Sequence, residues 1–301
     1  MKQGEANYRE DLLIRSWPAW LAAYDTQYML PLRLSPRTRV EYRRDLAEFA
    51  SFLAQQRGVD RPDQLNLADL RAHTAILAER GLTVACRRRK IAAIRSFLHF
   101  LYQQHVLQQD LALRVLPPPR VAPPLRVLSA QECSRLRAAC TDAPRDAALV
   151  GLMLNAGLRL DEVRNLRVAD LMLPRSAPLT LLPAVRIRGV PHRSRTLPLD
   201  PATALALNAC LDERPAAPSS PVFLSKFKRS LSIRGVRLCV AAVLARAGIA
   251  DASVHTLRHT YAVNHLRSGA SLHELQLLLG HASRKTTARY EGMLDLISAA
   301  G

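Results

Sequence analysis

Lysine is scarce in this chain. There are five, Lys2, Lys90, Lys226, Lys228 and Lys285, leaving 38 arginines among the 43 cationic residues. Its cationic chemistry is thus almost wholly guanidinium, which is planar, permanently charged and a poor proton donor. Aromatic residues are few at 5% while hydrophobic residues make up 49%, the Ala/Leu-rich balance of a mainly helical protein. The five cysteines, Cys86, Cys133, Cys140, Cys210 and Cys239, are odd in number and contain no Cys-x-x-Cys pair. That pattern suggests neither a disulfide framework nor a zinc site, and buried free thiols are expected. No apolar run reaches the roughly 18 residues of a membrane span. The opening segment MKQGEANYREDLL lacks the apolar stretch of a secretory signal. A cytoplasmic protein with no membrane partner is expected.

What is present is positive charge. The 43 cations against 25 acids give a formal +18 over 301 residues. A preference for GC-rich codons could explain arginine in place of lysine, but not an excess of that size. A field of this sign favours a polyanion, and nucleic acid is the leading partner.

The clearest break is Leu116-Pro-Pro-Pro-Arg-Val-Ala-Pro-Pro-Leu125, with five prolines within 117–124. Such a run forbids helix and favours a stiff, extended connector. It predicts two domains, 1–116 and 125–301, joined by a linker at 117–124. The first reads as helices: Ser35 caps, Pro36 suits the first helical position, and Tyr42, Leu46, Phe49 and Leu53 form one stripe that Gly58 closes. Further helices are expected over Leu67–Arg80 and Thr83–Gln104, the latter with Ile91, Ile94, Leu98 and Leu101 on one face. That helix opens with Arg87, Arg88, Arg89 and Lys90, followed by Arg95. Adjacent cations repel unless an anion is near, which makes this run a candidate phosphate contact. Lys226, Lys228, Arg229, Arg234 and Arg237 form a second basic run without intervening acids, a candidate DNA-facing surface. In the second domain Ser129 to Glu132 suggests a capping box. Val185, Ile187, Thr196 and Leu197 look like a short hairpin among helices. The expected class is mainly α (α+β), the β part small and confined to the second domain.

Three segments carry chemistry. In Asn155-Ala-Gly-Leu-Arg159-Leu-Asp-Glu162, Gly157 lets the backbone turn and present Arg159, with Glu162 three residues on. In His255-Thr-Leu-Arg258-His259-Thr-Tyr261, His255 and Arg258 share a helix face, unfavourable unless an anion such as phosphate sits between them. In Leu277-Leu-Leu-Gly280-His281, Gly280 ends an apolar helix and sets His281 at its C-terminal turn; Tyr290 follows nine residues later in a short polar helix.

Taken together these resemble the tyrosine recombinase (phage integrase) family, and the bacterial Xer-like recombinases in particular. The match is to the Gly-Leu-Arg-x-x-Glu, His-x-Leu-Arg-His-Thr, Leu-Leu-Gly-His and terminal Thr-Thr-x-x-Tyr boxes, in order. It extends to Ser35-Pro-Arg-Thr-Arg-Val-Glu-Tyr-Arg-Arg-Asp-Leu and Arg89-Lys-Ile-Ala-Ala-Ile-Arg-Ser-Phe97, which look like helices of the family's N-terminal core-binding domain. The resemblance implies that Arg159 and Arg258 grip a scissile phosphate, that His255 and His281 complete its cage, that Glu162 supports the site, and that Tyr290 is the nucleophile. It implies a site-specific DNA recombinase working through a 3′-phosphotyrosyl intermediate and a Holliday junction. The partners would be double-stranded recombination sites and other protomers in a synaptic tetramer, with or without a sister recombinase. Neither cofactor nor metal is expected, because the energy of the broken bond is kept in the protein–DNA ester.

One box departs. The family usually carries a lysine on the hairpin turn as the acid for the leaving 5′-oxygen, and Val190 occupies that position here. No lysine lies between Lys90 and Lys226. Arg188 and Arg193 can supply charge but hardly a proton; His192 and Arg193 are the candidate substitutes, and His255, also the expected base, ranks first as the acid. The tail after Tyr290 is only eleven residues. Two alternatives follow: a type IB topoisomerase, which the N-terminal match argues against, and a catalytically weak or inactive relative that binds specific DNA as an accessory protein.

Overall fold

The computed structural model describes residues 16–119, 125–174, 182–189, 194–214 and 220–292. The chain divides into two compact units, Met1–Pro123 and Pro124–Gly301. Val190, His192 and Arg193, most of the proline run and the tail beyond Gly292 lie outside the described residues. Among the described residues no helix is long and apolar enough to cross a membrane.

The first unit is helical: α1 (Trp17–Tyr24), α2 (Pro36–Phe52), α3 (Leu67–Glu79) and α4 (Val84–Gln103). Each start has a local cause. Ser35 Oγ accepts the Thr38 amide at 3.1 Å ahead of Pro36, Asn66 Oδ1 accepts two amides of α3, and Thr83 Oγ1 accepts the Cys86 amide. Beyond Phe52 the chain widens into a π-turn over Leu53–Arg57 and stops at Gly58, whose φ is +65°. The expected stripes face the core: Leu46 and Phe49 of α2 and Leu53 of the π-turn, with Tyr42 half-buried at their edge, meet Ile91, Ile94, Leu98 and Leu101 from α4, and Trp17 and Tyr24 of α1 complete it.

Here the basic run departs from expectation. Lys90 is buried, and its ammonium donates to Asp45 at 3.2 Å and Glu48 at 2.6 Å. Arg89 pairs with Asp45 and with Glu41, and Arg80 with Glu48. Arg88 donates to the Pro118 carbonyl. The anions that make adjacent cations tolerable are carboxylates of α2, one turn apart, and not a phosphate. Lys90 is therefore corrected from a DNA contact to a core ion pair, and Arg89 is largely neutralised. Arg87 and Arg95 are half-buried on the same helix.

The second unit holds α5 (Ala130–Ala138), α6 (Pro144–Leu154), α7 (Leu160–Asn165), β1 (Leu171–Met172), β2 (Ala184–Ile187), β3 (Arg195–Pro198), α8 (Pro201–Asp212), α9 (Ile233–Arg246), α10 (Val254–Arg267), α11 (Leu272–Leu279) and α12 (Arg284–Ala288). The Ser129–Glu132 capping box forms. The sheet is antiparallel in the order β1-β2-β3, with Val185 opposite Leu197 and Ile187 opposite Arg195. Val185, Ile187 and Leu197 face the core at period two, as the hairpin pattern predicts; the short strand β1 carries no such pattern. Helix α6 is the buried centre and packs on α8, α9 and α10. The class is mainly α with a small sheet, as the sequence indicates.

Candidate active site

The site grows from two helix ends. Helix α6 stops at Leu154, and Gly157 turns the chain at φ +64°. A Cβ there would lie 2.3 Å from the Tyr261 ring, so the position is closed to other residues twice over. The turn delivers Arg159 as the N-cap of α7. Its amide and Nη1 both donate to Glu162, at 2.8 and 3.0 Å. The i, i+3 pair is thus a capping arrangement, and Glu162 is half-buried in the site.

Glu162 is more than a partner for Arg159. Arg195, on β3, donates through both terminal nitrogens to its two oxygens at 3.0 Å each, the bidentate geometry that guanidinium and carboxylate share. Arg258 lies 3.9 Å away. Burial alone would raise the Glu162 carboxyl, but the bonds and charge of Arg195 and Arg159 hold it below its ordinary range.

The second helix end is that of α11. Helices leave their last carbonyls without partners, and here the last two of α11 and that of Gly280, which follows them, are each taken by an arginine. Arg195 Nε donates to Leu278 O, Arg258 Nη2 to Leu279 O and Arg159 Nη2 to Gly280 O, all at 2.7 Å. Gly280 ends the helix at φ +59°. Arg258 also donates to the Gly157 carbonyl. Its guanidinium is buried, and desolvation plus the charge of Arg159 lower its pKa to about 10. Three guanidiniums around one carboxylate leave positive charge unanswered, the condition that favours an incoming anion.

The histidines divide. His281 Nε2 receives Arg258 Nη2 at 3.1 Å, so its other nitrogen carries the proton and donates to Thr287 Oγ1 at 2.9 Å. Burial and the surrounding arginines lower its pKa to about 4, so the ring is neutral at pH 7. His255 stays exposed on the first turn of α10; partial burial and the charges of Arg237 and Arg258 lower its pKa. Tyr290, just past α12, is 2% exposed and packs with Tyr261, Leu275 and Leu279. Its ring stacks parallel to that of His281, centroids 6.4 Å apart. Burial raises its phenol pKa against the pull of Arg258, Arg289 and Arg159. The ring that bonds its oxygen is His259, through Nδ1 at 2.9 Å, and not His255 as expected of the base.

The structure thus gathers Arg159, Glu162, Arg258, His281 and Tyr290 in one cluster, with His255 on its open side. It adds Arg195 and His259. Arg195 carries no local signal in the sequence, because its target, Glu162, is 33 residues away. His259 was in plain view beside Arg258, yet one turn of helix from His255 gave no sign of which ring meets the tyrosine. Arg188 is held by Asp170 at 2.7 Å. Lys226, Lys228 and Arg229 sit on an exposed turn closed by the Leu224–Ser230 bridge, with Arg234 and Arg237 exposed on α9. Among the described residues no three His, Cys, Asp or Glu side chains converge as metal ligands.

Residues 126–295 match the model of the phage integrase family, and residues 21–105 that of the phage integrase N-terminal SAM-like domain. The chain belongs to the phage integrase family. Tyrosine recombinase XerC of Rhodospirillum centenum is 36% identical over 273 residues, covering 85% of this chain and 77% of its own. Tyrosine recombinase XerD of Listeria monocytogenes is 29% identical, covering 87% and 90%. Among solved structures, a lambda integrase dimer bound to a COC′ core site has the same fold, with a TM-score of 0.70 at 15% identity over 95% of this chain and 80% of that one. The Tn1549 transposon integrase in complex with a circular intermediate DNA gives 0.69 at 17% identity, over 90% and 94%. As a family member, the chain is a tyrosine recombinase, an enzyme of site-specific recombination.

Proposed function

We propose that Tyr290 is the nucleophile that cuts DNA, and that Arg159 and Arg258 hold the scissile phosphate. The observation that carries this is the convergence of Arg159, Arg258, His281 and Tyr290 around an excess of positive charge. Attack on a phosphodiester builds negative charge on its non-bridging oxygens, so fixed guanidiniums stabilise the transition state more than the ground state. The product is a 3′-phosphotyrosyl ester and a free 5′-hydroxyl, which can attack the ester on a partner strand. The reading extends to exchange through a Holliday junction in a tetramer of protomers, alone or with a sister recombinase, in keeping with the likeness to Xer-type recombinases. We assign residues 1–116 to core DNA binding, 125–301 to catalysis and 117–124 to the connector, and the cytoplasm, at the nucleoid, to the protein.

His255, with its ring open to solvent, is the group to protonate the leaving 5′-oxygen in a chain whose hairpin position is Val190. His281 has its ring proton on Thr287 and its lone pair on Arg258. It must gain a proton to donate to phosphate, and a bound dianionic transition state favours that. Glu162 and Arg195 position the two phosphate arginines. The accessory reading, binding without cutting, has less support, because binding alone gives no reason to bury a tyrosine against two histidines and an arginine.

The test is a covalent trap. Nicked duplexes from DNA flanking the gene are incubated with protein in EDTA and run on a denaturing gel beside Tyr290→Phe. The expected result is a shifted band absent in the variant. Sequence-specific binding with no covalent band would turn the assignment to the accessory reading.

A further inference from the structure

Three histidines, His255, His259 and His281, surround the candidate catalytic centre. His255 cannot act as both base and acid in a single cleavage step unless it shuttles a proton between two oxygens. We propose that His259 is the group that takes the phenol proton as Tyr290 attacks and returns it when the strand is rejoined. This rests on Tyr290 being the nucleophile.

The geometry distinguishes the rings. His281 Nε2 and Nδ1 are both committed, to Arg258 and Thr287. His255 lies one turn back on α10, its ring 6.4 Å from that of His259, and is exposed. His259 alone of the three has a nitrogen on Tyr290 Oη, at 2.9 Å, within reach for proton transfer. A phenol is the better donor of the two, so Nδ1 accepts and the remaining proton of the neutral ring sits on Nε2.

The protons then balance. Tyr290 Oη bonds to phosphorus, its proton passes to His259 Nδ1, the bond from phosphorus to the 5′-oxygen breaks, and that oxygen takes a proton from His255, which enters the step as imidazolium beside the bound phosphate. On rejoining, the 5′-hydroxyl attacks and gives its proton back to His255, while Oη departs and recovers its own from the His259 imidazolium. In the free protein His259 is held to a pKa of about 4 by burial and by Arg289, His255 and Arg258. A phosphate seated on Arg258 offsets part of that positive field, so the ring becomes a stronger base only when DNA is in place. That couples deprotonation of the nucleophile to substrate binding.

The test compares His259→Ala and His259→Asn with wild type in single-turnover cleavage of the nicked flanking duplexes. Asparagine can accept the phenol hydrogen bond but cannot take the proton. Both variants are expected to bind the duplex as wild type does in native gels and to cleave about 10²-fold more slowly or worse. Placing 3-fluorotyrosine at position 290, a more acidic phenol, should recover about tenfold of that loss, since a better acid needs less help from a base. Cleavage by His259→Asn at the wild-type rate would show that a hydrogen bond suffices and would overturn the proposal, as would a deficit that fluorotyrosine leaves unchanged. If wild type itself forms no covalent product that Tyr290→Phe removes, the nucleophile assignment fails first and takes His259 with it.

Discussion

The two units of this chain each hold a cluster of three cations, and they settle them oppositely. In the first unit Arg80, Arg89 and Lys90 face three carboxylates, Glu41, Asp45 and Glu48. In the second, Arg159, Arg195 and Arg258 face one, Glu162, and fill their remaining bonds with backbone carbonyls. The first cluster is closed: every charge is answered, so it staples α2 to α4 and has little to offer a phosphate. The second is open by design of its stoichiometry, because carbonyl dipoles satisfy donors without cancelling charge. Whether an arginine-rich segment binds phosphate depends on how many carboxylates the fold brings within reach. Arginine count along the chain does not decide it.

The comparison breaks most severely at Glu162. Glu162→Gln removes the one carboxylate from three guanidiniums in a half-buried site. It should lower unfolding stability by on the order of 3 kcal/mol, as removal of one partner from a buried ion pair does, and reduce covalent complex formation as Arg159 and Arg258 lose their registry. Urea unfolding and the covalent trap read the two effects. A variant as stable as wild type would mean the second cluster tolerates its charge without Glu162.

A comparable effect of pH belongs to the first unit. His73 packs against Phe49 and Phe52, near Glu48, and burial lowers its pKa to about 4. Its folded pKa lies below the ordinary value near 6.5, so the unfolded chain binds more protons between those limits. Its contribution is therefore complete above about pH 6.5 and is lost as pH falls towards 4, on the order of 3 kcal/mol in all. His73→Phe should flatten that part of the urea midpoint curve between pH 7 and pH 4.5. An unchanged slope would show that acid unfolding there comes from the carboxylates of the ion cluster.

The smallest effects sharpen the contrast between closed and open charge. Lys226→Ala and Arg229→Ala, on the exposed turn before α9, should each lower the salt slope of duplex DNA binding by about 0.9. Lys90→Met should leave it unchanged while destabilising the protein. Fluorescence anisotropy across a salt series separates them, and a slope change in Lys90→Met would reopen the first cluster as a DNA contact.

Helix starts were legible because caps act within four residues: Ser35, Thr83 and Ser129 each bond the amide three positions on. The hairpin and the apolar stripes were legible through their periods. Ordered boxes, rather than any physical property of one residue alone, pointed to Arg159, His255, Arg258, His281 and Tyr290 as a set, and the fold brings the side chains of Arg159, Arg258, His281 and Tyr290 together. What stayed hidden were pairings across the chain. Asp45 and Lys90 are 45 positions apart, Glu162 and Arg195 33, and His259 and Tyr290 31. Only tertiary packing joins them, and local pattern carries no trace of it.

The end of α11 has a metrical consequence. The carbonyls of Leu278 and Leu279 present themselves about 1.5 Å apart along the axis and about 100° around it to Arg195 and Arg258, and the left-handed Gly280 turns the next one to Arg159. The helix is therefore a gauge that spaces Arg195, Arg258 and Arg159 relative to one another. One residue inserted within Leu272–Leu279 would rotate that whole face and put all three arginines out of step at once. The same residue inserted in the turn before Ser271 could be taken up as slack, leaving the gauge intact.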